Sequence, residues 1–82
     1  MRTLTLYTRP DCHLCDDARA ALGRVSRQVP LAVEEVDIER DDALHRRYVE
    51  RIPVVELDGE VLFEYFVDEP ALVTRLRGEP LE

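Results

Sequence analysis

The chain has 82 residues, of which 45% are hydrophobic and 35% charged, enough for one compact domain and too few for two. Its net charge is −7, and all eleven basic residues are Arg. Because binding to a phosphate backbone or an anionic bilayer depends on clustered positive charge, this balance argues against nucleic-acid and membrane-surface partners. We therefore predict a single domain over residues 1–82.

The first third of the chain predicts a strand followed by a helix. Thr3–Thr8 alternates polar and apolar residues with the period of a strand. Pro10 and Asp11 break this alternation, and small or apolar residues then recur at helical spacing from about Cys12 to about Arg27. We expect Asp11 to cap the first turn of this helix.

The next segment predicts a second strand and a short helix. Leu31–Ile38 alternates again, with Leu31 and Val33 facing inward, a slip in the pattern near Glu34–Glu35, and Val36 and Ile38 as further candidates for the inward face. Asp41 or Asp42 is a suitable N-cap for a short helix that runs to about Glu50.

The last third predicts a hairpin and a final helix. Val54–Leu57 and Glu60–Phe63 are strand-like and are joined by Asp58-Gly59, whose residues both tolerate the positive φ of a tight hairpin turn. A helix then opens at Asp68 and closes near Gly78, which leaves Leu81 and Glu82 as a loose end. The order βαβαββα predicts a parallel pair, an antiparallel hairpin and one mixed sheet covered by helices.

The location of the protein is predicted from what the chain lacks. Residues 1–8 have neither the apolar core nor the cleavage site of a signal peptide. No apolar run approaches the roughly 20 residues of a membrane span. We expect a cytoplasmic protein, in which ordinary thiols are kept reduced and a cysteine pair is more often catalytic or metal-binding.

Cys12 and Cys15 stand at the predicted junction of the first strand and the first helix. A disulfide between them would close too small a loop to act as a structural staple. At a helix start, unpaired N–H groups and the helix dipole stabilise the nucleophilic thiolate, and Arg9 adds positive charge, whereas Asp11 and Asp16 act the other way. We predict that Cys12 attacks a disulfide and that Cys15, one turn deeper, resolves the mixed disulfide.

Metal binding is the main alternative. One C-x-x-C pair supplies two of the four ligands of a structural zinc. His13 would point off the face that the cysteines share, and His45 belongs to another predicted helix, so we predict no zinc site within one chain. An iron–sulfur cluster or metal held between two chains through Cys12 remains the alternative function.

Four segments resemble the glutaredoxins and the short glutaredoxin-like proteins. They are the start Tyr7-Thr8-Arg9-Pro10-Asp11-Cys12-His13-Leu14-Cys15, the strand end Val36-Asp37-Ile38-Glu39, Arg51-Ile52-Pro53-Val54, and Asp58-Gly59. The resemblance covers nearly the whole chain. It implies an α/β thioredoxin-like fold of the glutaredoxin type, with three layers, a mixed four-stranded sheet and three helices.

The same resemblance implies roles for individual residues. Cys12 would be the nucleophile and Cys15 the resolving thiol of a redox-active disulfide. The Ile52–Pro53 bond would be cis, placing Pro53 against the sulfurs, and the backbone of Ile52 would pair with the substrate chain. Arg9 occupies the position of a Lys that contacts the glutathione carboxylate in many glutaredoxins.

The chain also departs from the glutaredoxin pattern at two places. His13-Leu14 replaces the usual Pro-Tyr pair, and Phe63–Asp68 has bulky residues where the family has Gly-Gly-x-Asp, so only Asp68 matches the glutathione-binding segment. The expected substrate is a protein or small-molecule disulfide, with glutathione or a thioredoxin-reductase-type flavoprotein as electron donor and no bound cofactor or metal. The candidate substrate-binding residues are Arg9, His13, Ile52, Pro53 and Asp68.

Overall fold

The computed structural model describes residues 2–78. The strands are β1 (Arg2–Thr8), β2 (Leu31–Asp37), β3 (Val54–Leu57) and β4 (Glu60–Glu64). The helices are α1 (His13–Ser26), α2 (Asp42–Tyr48) and α3 (Glu69–Leu76), with a 3-10 turn at Ile38–Arg40. The predicted order βαβαββα is confirmed.

One mixed sheet has the strand order β2-β1-β3-β4. β1 pairs parallel with β2 and antiparallel with β3, and β4 pairs antiparallel with β3. The hairpin turn has φ of 53° at Asp58 and 82° at Gly59. Both values are positive, as expected for this dipeptide in a tight hairpin turn. The predicted mixed four-stranded sheet is therefore confirmed.

Two clusters of buried side chains lie on the two faces of the sheet. Leu4 and Leu6 of β1 pack in the larger cluster, which includes side chains of α1 and α3. Tyr7 points to the opposite face and packs against the smaller cluster, which includes Tyr48 of α2. Alternation along β1 therefore separates three layers, with the sheet between α1 and α3 on one side and α2 on the other.

Three expectations about β2 are wrong. Val33 is 41% exposed, because β2 is the edge strand and has a neighbour on one side only. The pairing with β1 runs without interruption from Leu31 to Asp37, so there is no slip at Glu34–Glu35. The strand also ends one residue early, since Ile38 begins the 3-10 turn and is fully buried there.

The helix caps are formed by short side chains, with one correction. Asp41 caps α2 and Asp68 caps α3, as expected. Asp11 does not cap α1; it is exposed with φ of 58°, and Cys12 is the capping residue instead. Gly78 follows α3 with φ of 76°, the left-handed conformation that commonly ends a helix. The predicted loose end at Leu81 and Glu82 lies outside the described residues.

Candidate active site

Cys12 is the N-cap of α1. Its backbone is extended, with φ of −115° and ψ of 110°, and its Sγ accepts a hydrogen bond from the backbone N–H of Cys15 at 3.2 Å. The carbonyl of Cys12 accepts the N–H of Asp16, also at 3.2 Å, which begins the helical hydrogen-bond pattern. The half-buried sulfur therefore lies at the positive end of the α1 dipole and receives an N–H that stabilises negative charge on it.

Cys15 lies beneath Cys12 and is almost completely buried, with 1% of its surface exposed. Burial, followed by its hydrogen bond to the Cys12 side chain, raises the pKa of the Cys15 thiol to about 12. A backbone hydrogen bond from Arg9 and the charge of Arg19 oppose this rise. Both cysteines are free thiols, so the structure describes the reduced form.

In the smaller buried cluster, the cysteines pack together with Ile52, the residue before Pro53. Its buried members are Cys15, Ile38, Tyr48, Ile52 and Val54, and Cys12 packs at its edge. The Ile52–Pro53 peptide bond is cis, and Pro53 is fully buried. Two of the predicted substrate-binding residues therefore lie in the same region as the sulfurs.

The backbone of Ile52 is only partly available to a substrate chain. Its N–H donates to the carbonyl of Tyr48 at 3.1 Å, continuing the hydrogen bonding at the end of α2. A substrate strand pairing at Ile52 would therefore use the carbonyl oxygen, or would have to displace this hydrogen bond. The resemblance alone did not indicate this restriction.

Arg9, His13 and Asp68 are placed differently. The side chains of Arg9 and His13 are exposed on either side of Cys12 in the chain. Asp68 accepts the N–H of Ala71 at 3.1 Å and serves as the cap of α3. Within residues 2–78, none of these three side chains forms a hydrogen bond with either sulfur.

Sequence reasoning did not place Tyr7 and Tyr48 among the candidate site residues. Their ring centroids lie 4.7 Å apart, and Tyr48 is 3% exposed and packs with Cys15 and Ile52. The hydroxyl of Tyr7 donates to Glu56 at 3.2 Å, and burial together with this carboxylate raises the pKa of Tyr7. No sequence signal pairs two tyrosines 41 positions apart; the pairing depends on how α2 packs on the sheet.

Sequence reasoning also missed a polar network around Arg19, one turn after Cys15. The Arg19 guanidinium donates two hydrogen bonds of 2.7 Å to Glu35 and one of 2.8 Å to Asp16. Glu35 also accepts the hydroxyl of Thr8, the buried polar residue at the end of β1, at 3.1 Å. This network ties the N-terminal half of α1 to β1 and β2. The hydrogen bonds from Arg19 lower the pKa of Glu35.

Within residues 2–78, no three His, Cys, Asp or Glu side chains lie together in an arrangement that could ligate a metal ion. In the same range, no helix combines the length and the apolar character needed to cross a bilayer.

Similar proteins have the same fold. Protein XcR50 from X. campestris is 40% identical, with 94% of this chain and 99% of that one covered and a TM-score of 0.77. Protein Ne2328 from Nitrosomonas europaea is 30% identical, with 92% and 91% covered and a TM-score of 0.80. A mutant thioredoxin from Halobacterium salinarum is 26% identical over 93% of this chain and 72% of its own, with a TM-score of 0.63.

A glutaredoxin-like protein of Dictyostelium discoideum, described as a YDR286C homolog, is 27% identical over 77 residues, which cover 84% of this chain and 69% of that protein. Residues 3–77 also match the family model described as the glutaredoxin-like domain, DUF836. Because this match spans nearly all of the 82 residues, the protein belongs to the glutaredoxin-like domain family and has a thioredoxin-like fold.

Proposed function

We propose that the protein is a dithiol–disulfide oxidoreductase with Cys12 as nucleophile and Cys15 as resolving thiol. The observation that carries the proposal is the N-cap position of Cys12 on α1. Its Sγ accepts the backbone N–H of Cys15 at 3.2 Å, and the side chain of Cys15 is buried. A thiolate is the form of cysteine that attacks a disulfide, and this position stabilises negative charge on sulfur.

The cycle transfers two electrons from the dithiol to the substrate. The Cys12 thiolate attacks one substrate sulfur, the substrate S–S bond breaks, and the other substrate sulfur leaves as a thiolate. Cys15 then loses its proton to solvent and attacks Cys12 Sγ. The second substrate sulfur leaves, and the Cys12–Cys15 disulfide forms. The buried, proton-retaining Cys15 suits this order because it does not compete with Cys12 for the incoming disulfide.

The substrate would lie across Ile52 and Pro53, next to the sulfurs, with Arg9 and His13 at the exposed rim and Asp68 at the start of α3. Support for this placement comes from the buried cluster that joins Ile52 to both cysteines. We propose the cytoplasm as the compartment and glutathione or a thioredoxin-reductase-type flavoprotein as the electron donor, since either would return Cys12 and Cys15 to the dithiol.

Equilibration in a series of glutathione redox buffers tests the proposal. The protein is quenched with an alkylating reagent, and the state of each cysteine is read by mass. We expect a reversible Cys12–Cys15 disulfide with a defined reduction potential. Thiols that stay reduced throughout, or that form only irreversible adducts, would remove the proposed function.

Two variants and one spectrum sharpen this test. Cys12→Ser should abolish turnover of a disulfide substrate, whereas Cys15→Ser should accumulate the mixed disulfide on Cys12. A visible absorption band of the purified protein, lost on chelation, would instead favour a cluster held between two chains through Cys12.

A further inference from the structure

An aromatic pair, Tyr65–Phe66, projects from the loop between β4 and α3. Phe66 is 70% exposed and Tyr65 is 42% exposed. Within residues 2–78, Val33 on the opposite edge of the sheet is the other large apolar side chain of comparable exposure. Exposed aromatic residues grouped together on a small domain are typical of a binding surface.

The aromatic pair is held against the active-site segment. The N–H of Tyr65 donates to the carbonyl of Pro53 at 2.9 Å, and its hydroxyl donates to the carbonyl of Glu50. The N–H of Phe66 donates to the carbonyl of Glu64 at 2.8 Å. These bonds fix the pair beside Pro53, which lies in the chain between Ile52 and Val54 of the smaller buried cluster that also contains Cys15. A loop whose backbone is already fixed binds a partner with little further loss of backbone conformational entropy.

Tyr65 holds an unusual backbone conformation at this position. Its φ is 68°, a value that is sterically costly for a residue with a side chain. The two hydrogen bonds of Tyr65, to Pro53 and Glu50, oppose this cost. The loop therefore holds Tyr65 in a conformation that glycine would adopt more easily.

The charges near the aromatic pair are mainly negative. Glu50, whose carbonyl accepts the Tyr65 hydroxyl, and Asp68, two residues after Phe66, are both exposed. Arg51, which follows Glu50 in the chain, is already engaged in an ion pair with Glu64. The whole chain also carries a net charge of −7. An approaching partner with basic residues would be attracted to this side of the active site, and an anionic one repelled.

We propose that the substrates of this site are polypeptide disulfides in which an apolar side chain, flanked by basic residues, lies close to the attacked cysteine. This inference rests on the proposed function and names its substrate class. The apolar side chain would pack on Phe66 while the basic residues face Glu50 and Asp68. Glutathione offers neither feature, because it is anionic and has no large apolar side chain.

Mixed disulfides between synthetic peptides and 5-thio-2-nitrobenzoate provide the probes. The first peptide contains one cysteine, a neighbouring phenylalanine and two arginines. In the second, serine replaces the phenylalanine, and in the third, glutamates replace the arginines. Cys12 attacks the peptide sulfur, thionitrobenzoate leaves as the better leaving group, and Cys15 then releases the peptide thiol. Release of thionitrobenzoate is followed by its absorbance.

We expect the wild-type protein to react about tenfold faster with the phenylalanine peptide than with the serine peptide. Phe66→Ser should remove this preference. Val33→Ser, which removes an exposed apolar side chain from the opposite edge of the sheet, should retain it. The glutamate peptide should react more slowly than the arginine peptide in dilute buffer. Screening of the charges should reduce this difference at about 1 M salt.

Equal rates for the phenylalanine and serine peptides in the wild-type protein, or a preference that survives in Phe66→Ser, would overturn the inference. The unsubstituted symmetrical reagent, dithiobis(nitrobenzoate), separates this result from failure of the proposed function. If the wild-type protein reduces that reagent through Cys12 but shows no peptide preference, only the substrate class is wrong. If it reduces none of the disulfides, the proposed function itself fails.

Discussion

The Sγ of Cys12 accepts the backbone N–H of Cys15 at 3.2 Å, so the two cysteines of the C-x-x-C segment are linked through the first turn of α1. The link makes them chemically unequal. Cys12 is half-buried at the positive end of the helix, whereas Cys15 is buried and its pKa is raised to about 12. This inequality suits the proposed two-step exchange, in which one thiol attacks and the other resolves.

Alkylation of the reduced protein should distinguish the two thiols. At neutral pH we expect iodoacetamide to modify Cys12 at least about 100-fold faster than Cys15, because Cys15 is buried and holds its proton. The measurement is a time course of mass and peptide mapping. Cys12→Ser serves as the control, in which modification should become slow. Equal modification of the two thiols in the wild-type protein would contradict this assignment.

The resolving step should accelerate with pH. The folded pKa of Cys15 lies above its ordinary value, so its thiolate is scarce at neutral pH and becomes about tenfold more abundant with each pH unit. Burial is the largest cause of the rise, and it persists when Cys12 is in a mixed disulfide. With one equivalent of dithiobis(nitrobenzoate), Cys12 releases the first thionitrobenzoate and Cys15 releases the second. The rate of the second release should therefore increase about tenfold for each pH unit between roughly pH 7 and pH 9.

The control for that measurement is Cys15→Ser, in which only the first release should remain. A second release in the wild-type protein whose rate does not change with pH would show that deprotonation of Cys15 does not limit resolution.

Tyr48 should stabilise the fold through its ring. Tyr48 is 3% exposed and packs with Cys15 and Ile52, and its ring centroid lies 4.7 Å from that of Tyr7. We expect Tyr48→Ala to lower the free energy of unfolding by about 3 to 5 kcal/mol, because it leaves a large cavity. Tyr48→Phe, which keeps the ring, should cost less than about 1 kcal/mol. Urea denaturation measures both, and equal losses would place the stabilisation in the hydroxyl instead.

The ion pair between Arg19 and Glu35 should make a small, pH-dependent contribution to stability. The pKa of Glu35 is lowered by hydrogen bonds from Arg19, so the contribution is present above the ordinary carboxyl value and is lost as pH falls through the lowered one. Since 48% and 39% of the two side chains are exposed, we expect Glu35→Gln to cost less than about 1 kcal/mol at pH 7.

The cost of Glu35→Gln should shrink towards zero as the solution is made acidic and should also fall at high salt. Glu34→Gln is the matched control, since Glu34 is exposed on the same strand and forms no ion pair within residues 2–78. Denaturation midpoints across the acidic range measure both variants. A Glu35→Gln cost that is unchanged in acid would mean that the variant acts through packing and not through charge.

Some sequence expectations failed at places where neighbours in space override local pattern. Asp11 is a good capping residue type, yet the chain turns there with φ of 58°, and the helix begins one residue later with Cys12 as its cap. Val33 fits the alternation of a strand, yet it lies on the edge of the sheet and is 41% exposed. Neither outcome follows from the residue itself, because each depends on what packs beside it.

The sequence by itself determined the order of elements, the Asp58-Gly59 turn and the position of Cys12 and Cys15 at a helix start. These features depend on residues close together in the chain, whose periodicity and turn preferences are local. Only the tertiary structure decided which face of the sheet each cluster covers, that Tyr7 meets Tyr48, and that Tyr65–Phe66 is bound to Pro53. Those relationships join residues far apart in the chain, so they arise from packing and long-range hydrogen bonds that no local pattern encodes.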